Sequence, residues 1–414
     1  MRTLLNRSLP LLAAIVVLPP DVGVTRAVGT IGAPQSAVVV TGTVFADRNG
    51  NGRRDPGEPG LPGVAISDQD AVVVTDARGA YRLTSNARSH LVFVSVPDGY
   101  RSRAPFYRTI DASATPVFDF PLVAAAHGQT MTFIHASDTH ISEASRPRTQ
   151  RLRAIIDSVR PDFVLVTGDL VRDALRVGEV EATSYYQLFN QEAARVTQPL
   201  WTVPGNHENF GIERDKSGVA ADHPLYGRAM YHHFRGPDYY SFTTGGVHFV
   251  ALNTVDIDDT RYYGHVDSLQ LEWLSRDLAA IPPTMPVITY NHIPFFTAME
   301  TVNGYMDQPP APSVITVGGK AAFRHSVSNA AEVMLRIRPH PYPIALGGHM
   351  HAPERLRFAG IETRFELAAA VVGPTPTRAM LMPSGVTVYH LAHGTIDEGR
   401  FVPLGLDRAP DAGH

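Results

Sequence analysis

The stretch Thr167-Gly168-Asp169-Leu170-Val171-Arg172-Asp173 follows directly on Phe163-Val164-Leu165-Val166. The earlier segment is short, apolar and β-branched, the pattern of a buried parallel strand. A strand ending in Gly-Asp lifts one carboxylate to its C-terminal edge, where open α/β sheets place their ligands. One such Gly-Asp usually marks a turn. Four other stretches change that reading.

Each of those four delivers Asp, His or Asn from the end of a strand-like run. Met131 to Ala136 leads into Ser137-Asp138-Thr139-His140. Leu200 to Val203 leads into Pro204-Gly205-Asn206-His207-Glu208, and Val287 to Tyr290 into Asn291-His292-Ile293-Pro294. Ile344 to Leu346 leads into Gly347-Gly348-His349-Met350-His351-Ala352. His349 and His351 stand two apart, so a strand end would turn both to one side.

Mixed carboxylate, imidazole and amide donors suit hydrolysis of a phosphate ester. Two cations about 3.5–4 Å apart clamp phosphoryl oxygens and acidify an attacking water. They need a carboxylate between them and neutral donors around them. An all-carboxylate cage would quench their Lewis acidity.

In order and spacing the five blocks resemble the calcineurin-like metallophosphoesterase superfamily, across about Met131 to His393. The resemblance implies a four-layer α/β/β/α sandwich holding two divalent or trivalent ions, with Mn, Fe or Zn first among them. By motif position one ion takes Asp138, His140, Asp169 and His351. The other takes Asp169, Asn206, His292 and His349, so Asp169 bridges. The family's reaction is in-line attack on a phosphate mono- or diester by a metal-bridging hydroxide, with His207 assisting the leaving group. An acidic residue orients that histidine in the family; Asp173 is the candidate, one position later than in some branches. Purple acid phosphatases carry a tyrosine where Arg172 stands, so that subgroup is not expected.

The 414-residue chain is long enough for two or three domains. Its net charge of −4 argues against a nucleic-acid scaffold. It has no cysteine, which removes disulfides and thiol chemistry. Residues 1–27 read as a secretory signal: Arg2 and Arg7, an apolar run from Leu9 to Leu18 too short to span a bilayer, then small residues near Thr25 and Ala27. A periplasmic or secreted location follows, with no transmembrane span after signal removal.

Between the leader and the catalytic blocks, residues 38–124 carry short β segments at roughly ten-residue intervals, as in a small antiparallel sandwich. Thr75 to Tyr81 reads as a hairpin turn with Gly79 at the tight position. This part resembles Cna-B-like or prealbumin-like modules. Inside it, Asp47, Asn49, Asn51, Arg53 (by its carbonyl), Asp55 and Glu58 follow the ligand spacing of an EF-hand loop, with Gly52 at the sixth place, and mark a candidate calcium site. Nothing in the module reads as catalytic; spacer, docking surface or substrate guide are its candidate roles.

The expected architecture is thus a small all-β domain (38–124) before an α/β metallophosphoesterase domain (131–406). Helices are expected over Pro147–Val159, Tyr185–Val196, from Asp267 through Leu278, and over Ser328–Ile337, with a loop from Asn303 to Gly319. Insertions at Asn209–Gly236 and Phe295–His325 should overhang the metals, and Arg214, Lys216, Tyr226 and Arg324 are candidates for holding an anionic or ring-bearing substrate group. His223, His232, His233, His248, His265 and His325 read as surface or packing residues. A small phosphoester is the expected partner; no protein partner is indicated. The competing class is a surface-binding or structural protein on an inert phosphoesterase fold.

Overall fold

The computed structural model describes residues 38–86, 89–110, 116–125, 130–304 and 312–405. The leader reading of residues 1–27 lies outside these. The described residues all belong to one compact unit.

Two mixed sheets face each other. The first runs Leu200–Val203, Phe163–Thr167, Thr130–Ala136, Gly385–Ala392, with Thr395–Ile396 and Arg400–Pro403 both against the last. Its first three strands are parallel, and Gly385–Ala392 closes antiparallel on Thr130–Ala136. The second runs Tyr240–Thr244, Val247–Leu252, Val287–Asn291, Ile344–Gly347, Arg364–Leu367, Glu354–Leu356. Its four middle strands are parallel.

Strand alternation divides the core into layers. Phe133, Phe163 and Leu165 point between the sheets and meet Phe242 and Phe249 of the second sheet. Ile134, Val164 and Val166 point the other way, onto Leu152, Ile155 and Ile156 of the helix Arg146–Val159 and onto Tyr186 and Phe189 of the helix Glu179–Ala193. Leu271, Leu274 and Leu278 of the helix Ser268–Ala279 and Val333 and Ile337 of the helix Ala330–Ile337 belong to the core around the second sheet. Each aromatic ring fully buried between the sheets stabilises by about 1.5–3 kcal/mol over its exposed state. This is the expected four-layer α/β/β/α arrangement.

Several element boundaries differ from expectation. The second helix begins at Glu179, after Gly178, because Glu179 and Glu181 suit the positive end of the helix dipole in its first turn. The anticipated loop at 303–319 contains a strand, Val314–Val317, that pairs with Lys320–Phe323 across Gly318-Gly319. Both glycines have positive φ, as a two-residue hairpin turn requires. Residues 305–311 of that stretch lie outside the described ones.

The N-terminal residues form two four-stranded sheets over a common core of Val40, Val44, Ile66, Leu83, Phe93, Phe120 and Leu122. The sandwich is not purely antiparallel: Val38–Ala46 pairs parallel with Phe120–Ala124. The turn at Asp76–Gly79 is a corner and not a hairpin, since Val72–Val74 and Ala80–Ser85 belong to different sheets. The Asp76 side chain closes it by accepting from Arg78 and Ala80 amides.

The 47–58 loop is folded around its own oxygens. Asp47 is buried and accepts from the Gly50, Asn51 and Gly52 amides. The Asn49 and Asn51 side chains both reach Asp55 Oδ2 at 2.7 Å. Glu58 accepts from the Arg48 and Asp55 amides.

This module docks against the second sheet. Val96 bridges to Phe242 on the edge strand. Phe106 packs on Trp201 and Tyr240 with ring centroids 5.1 and 4.8 Å apart, and Phe93 meets Tyr240 and Trp273. Trp273 Nε1 donates to Ser67 Oγ, and Ser95 and Ser241 hydroxyls meet at 2.9 Å.

Candidate metal centre

All five strand ends converge at the seam between the sheets. Asp138, His140, Asp169 and Asn206 come from the first sheet, His292, His349 and His351 from the second. Tight glycines allow the approach. A Cβ on Gly168, at φ +82°, would stand 2.6 Å from His292 Nδ1, and one on Gly348 would stand 1.9 Å from Ser137 Oγ.

Each carboxylate divides its oxygens between two tasks. Asp169 Oδ1 accepts from the His207 amide at 3.0 Å, and Asp138 Oδ2 from the His349 amide at 3.1 Å. The remaining oxygens face histidines. Asp169 Oδ2 lies 3.2 Å from His292 Nε2, 3.5 Å from His140 Nε2 and 3.9 Å from His207 Nε2. Asp138 Oδ1 lies 3.2 Å from His351 Nε2 yet makes no aligned hydrogen bond, although it is buried. His140 and His351 Nε2 stand 3.1 Å apart; His292 Nε2 stands 3.2 Å from both Asn206 Oδ1 and His349 Nδ1.

Donors each about 2.0–2.2 Å from one ion sit roughly 3.0–3.6 Å from one another, so these separations suit an ion between them. Asp138, His140, Asp169 and His351 form one such group, and Asp169, His292 and His349 a second. The two share Asp169. The buried, unsatisfied Asp138 Oδ1 is the atom a cation would complete.

The electrostatics point the same way. Burial works against ionising Asp138 and Asp169, but the facing histidines outweigh it and hold both carboxyls below the usual range. Burial also opposes a charged His292, yet Asp169 and Asp138 push that ring up to about 9. Burial and the His207 ring drive His140 down to about 3. The pocket therefore holds two carboxylates that draw positive charge towards them beside an imidazole that stays neutral. That is a donor set suited to divalent ions.

The backbone is strained where it matters. Asp138, His140, Asp169, His349 and His351 all have φ between 37° and 71°. Non-glycine residues at such angles cost about 1–3 kcal/mol each and cluster at functional sites.

The outer ring nitrogens fix which nitrogen faces inward. His140 and His292 donate their Nδ1–H to the Arg172 and Thr167 carbonyls, at 3.4 and 2.8 Å, leaving Nε2 for the site. His207 likewise donates Nδ1–H to the Arg172 carbonyl, at 2.7 Å. Asp173, expected to orient His207, stands farther off at 3.8 Å, because its carboxylate is taken by the Leu175 and Arg176 amides and the Arg176 guanidinium. Glu208 braces the turn, accepting from the Val171 and Gly205 amides. Burial and the Asp169 carboxylate push it up to about 8.

A sequence profile described as Calcineurin-like phosphoesterase matches residues 131–353, more than half of the chain. The chain belongs to the calcineurin-like phosphoesterase family. It is a metal-dependent phosphoesterase. A companion profile, the N terminal of Calcineurin-like phosphoesterase, matches residues 48–125 and so covers most of the β-module. The phosphoesterase is 23% identical over 244 residues to a probable cyclic nucleotide phosphodiesterase of Rhodococcus erythropolis, across 55% of this chain and 67% of that one. Among solved structures, it is similar to a dimetal phosphatase from Danio rerio (14% identity, TM-score 0.44, 66% of this chain and 96% of the other). It is also similar to the anchor in the inner membrane complex of Plasmodium (13% identity, TM-score 0.41, 68% and 86%).

Of the four substrate-group candidates, only Arg324 lies against the site. Its guanidinium stacks 4.3 Å over Tyr262, whose ring meets His349 edge-on. Arg214 is tied to Asp259 and Tyr226, and Lys216 to Glu213. His223, His232, His248 and His265 pair with Glu179, Asp238, Asp277 and Asp256 away from the centre. His325, read as surface or packing, is instead in contact with His349. A lone histidine inside a long insertion carried no motif that could have singled it out. A cavity of about 450 Å³ between the module and the sheets, lined by Phe106, Trp201 and Phe242, includes none of the site histidines.

Proposed function

We propose that this phosphoesterase hydrolyses a small phosphodiester of the cyclic nucleotide kind at a two-ion centre held by Asp138, His140, Asp169, Asn206, His292, His349 and His351. The observation that carries the reading is the convergence of three imidazoles on Asp169 Oδ2. The name of the Rhodococcus relative supports a diester over a monoester. When bound, the ions supply Lewis acidity to the phosphoryl oxygens and acidify the attacking water.

The chain's own residues supply the rest. Asp169 holds both ion positions in one frame. The Arg172 carbonyl fixes the His207 ring so that Nε2 faces the centre, where it can pass a proton to the departing oxygen. Asp173 stands behind that contact and holds the 173–176 turn in place. His207→Ala is expected to lower kcat about 10²–10⁴-fold, the usual worth of a positioned proton donor, at unchanged metal content. A variant turning over at the wild-type rate would remove the role.

Residues 1–27 direct export in this reading, and the 47–58 loop takes one calcium ion. One experiment addresses these together. The full chain is expressed, the cells are fractionated, and each fraction is assayed on a chromogenic phosphodiester, its monoester and a cyclic nucleotide, with metal analysis of the purified protein. The expected result is periplasmic or secreted activity, faster on the diesters, with two transition ions and one calcium per chain. Faster monoester turnover would overturn the substrate class, cytoplasmic retention the export, and absent calcium the loop.

A further inference from the structure

The outer nitrogens of the four ion-facing histidines are held differently. For His140 and His292 the acceptor is a backbone carbonyl, and for His351 the neighbour is the Thr375 hydroxyl at 3.4 Å. His349 is turned the other way round. Its Nδ1 faces the centre, and its Nε2 meets a fifth imidazole, His325 Nδ1, at 2.8 Å.

That contact decides a tautomer. An imidazole can bind an ion only through a nitrogen without a proton, so His349 must carry its proton on Nε2. His325 Nδ1 must then be the acceptor, with the proton of His325 on Nε2. That nitrogen points towards Glu300, whose Oε1 stands 4.0 Å away, while Glu300 Oε2 accepts from the buried Ser313 hydroxyl at 2.7 Å. The stacking of Arg324 on Tyr262 and the Arg324 amide bond to the Ser313 carbonyl fix the backbone immediately before His325.

We propose that His325 is the positioning residue for His349: it accepts the Nε2 proton, fixes the ring's tautomer and angle, and so sets the affinity of the ion position formed by Asp169, Asn206, His292 and His349. Glu300 supports His325 from behind. The inference rests on the two-ion reading given above and adds to it that the two positions depend on different outer partners. The hydrogen-bond and ring contacts of His325 among the described residues run to His349 and its ion pair to Glu300, not to Asp138, His140, Asp169 or His351.

The test is manganese binding by the stripped full-length chain, followed by the electron paramagnetic resonance signal of free Mn(II), for wild type, His325→Leu and His325→Asn. Leucine fills the space without an acceptor. The asparagine Oδ1 falls close to where Nδ1 stood. The expected result is two ions in wild type, one of them bound about 10–100-fold more weakly in His325→Leu, as when an outer partner of a metal ligand is lost. The other ion should be unchanged, and His325→Asn should regain most of the lost affinity. Should the leucine variant fold poorly by circular dichroism, His325→Ala takes its place in the comparison. Two ions at wild-type affinity in the leucine or alanine variant, or an asparagine variant no better than either, would overturn the role of His325. A wild type that binds no ion would overturn the two-ion reading instead.

Discussion

Asp169→Asn is expected to stay folded and lose turnover. Asparagine tolerates the left-handed backbone at φ 47° as well as aspartate does. Its amide oxygen can still accept from the His207 amide as Oδ1 does. What changes is the other atom: Oδ2, which faces His140, His207 and His292, becomes an NH₂ group that cannot bind a cation. Losing the shared donor touches both ion positions. The cost should therefore exceed the about 10–100-fold typical of an outer partner of one ligand. Steady-state rates, metal analysis and circular dichroism on the purified variant check this. Turnover within tenfold of wild type, with the fold intact, would refute the bridging role.

The second large effect concerns the β-module. A chain beginning at Thr130 is expected in the insoluble fraction. Removing the module uncovers Trp201, Tyr240, Phe242 and Trp273, which Phe93, Phe106 and Val96 now cover. It also bares the outer edge of Tyr240–Thr244, an unpaired strand edge beside exposed rings. The point variant Phe93→Ala should cost about 3–5 kcal/mol, because Phe93 is fully buried. Its kcat, measured below its lowered Tm, should match wild type, since the rings Phe93 meets are Phe106, Tyr240 and Trp273 and not the site histidines. A soluble, monomeric truncated chain with the wild-type Tm would show that the module is an attached spacer after all.

The legible and illegible parts of this chain divide on a physical line. The seven candidate ligands and His207 could be found in the sequence because each lies within four residues of the end of a buried strand. There the apolar run and the polar cluster sit next to each other in the chain. The four layers followed from the same alternation of strand and helix. Relationships between distant segments left no such trace. His325 reaches His349 only through the fold of a long insertion, and the parallel pairing of Val38–Ala46 with Phe120–Ala124 joins segments some eighty positions apart. The docking face of the module reads as ordinary core-forming residues, because a face that packs against another domain has the composition of a core. Asp173 lies beside its motif, yet the Arg172 carbonyl, a group every residue carries, stands nearer to His207 Nδ1 (2.7 Å) than the Asp173 carboxylate does (3.8 Å).

The left-handed backbone at five of the candidate ligands also limits the alphabet from which the centre can be written. Among residues with side chains, Asp, Asn and His are the ones that enter positive φ most readily. They are also the donors found at those five places, as Asp138, His140, Asp169, His349 and His351. Glutamate and cysteine bind metals well but gain no such local support there. A turn of this shape therefore favours oxygen and imidazole donors before any ion arrives. Part of the choice of donor side chains is thus inscribed in its main-chain torsions.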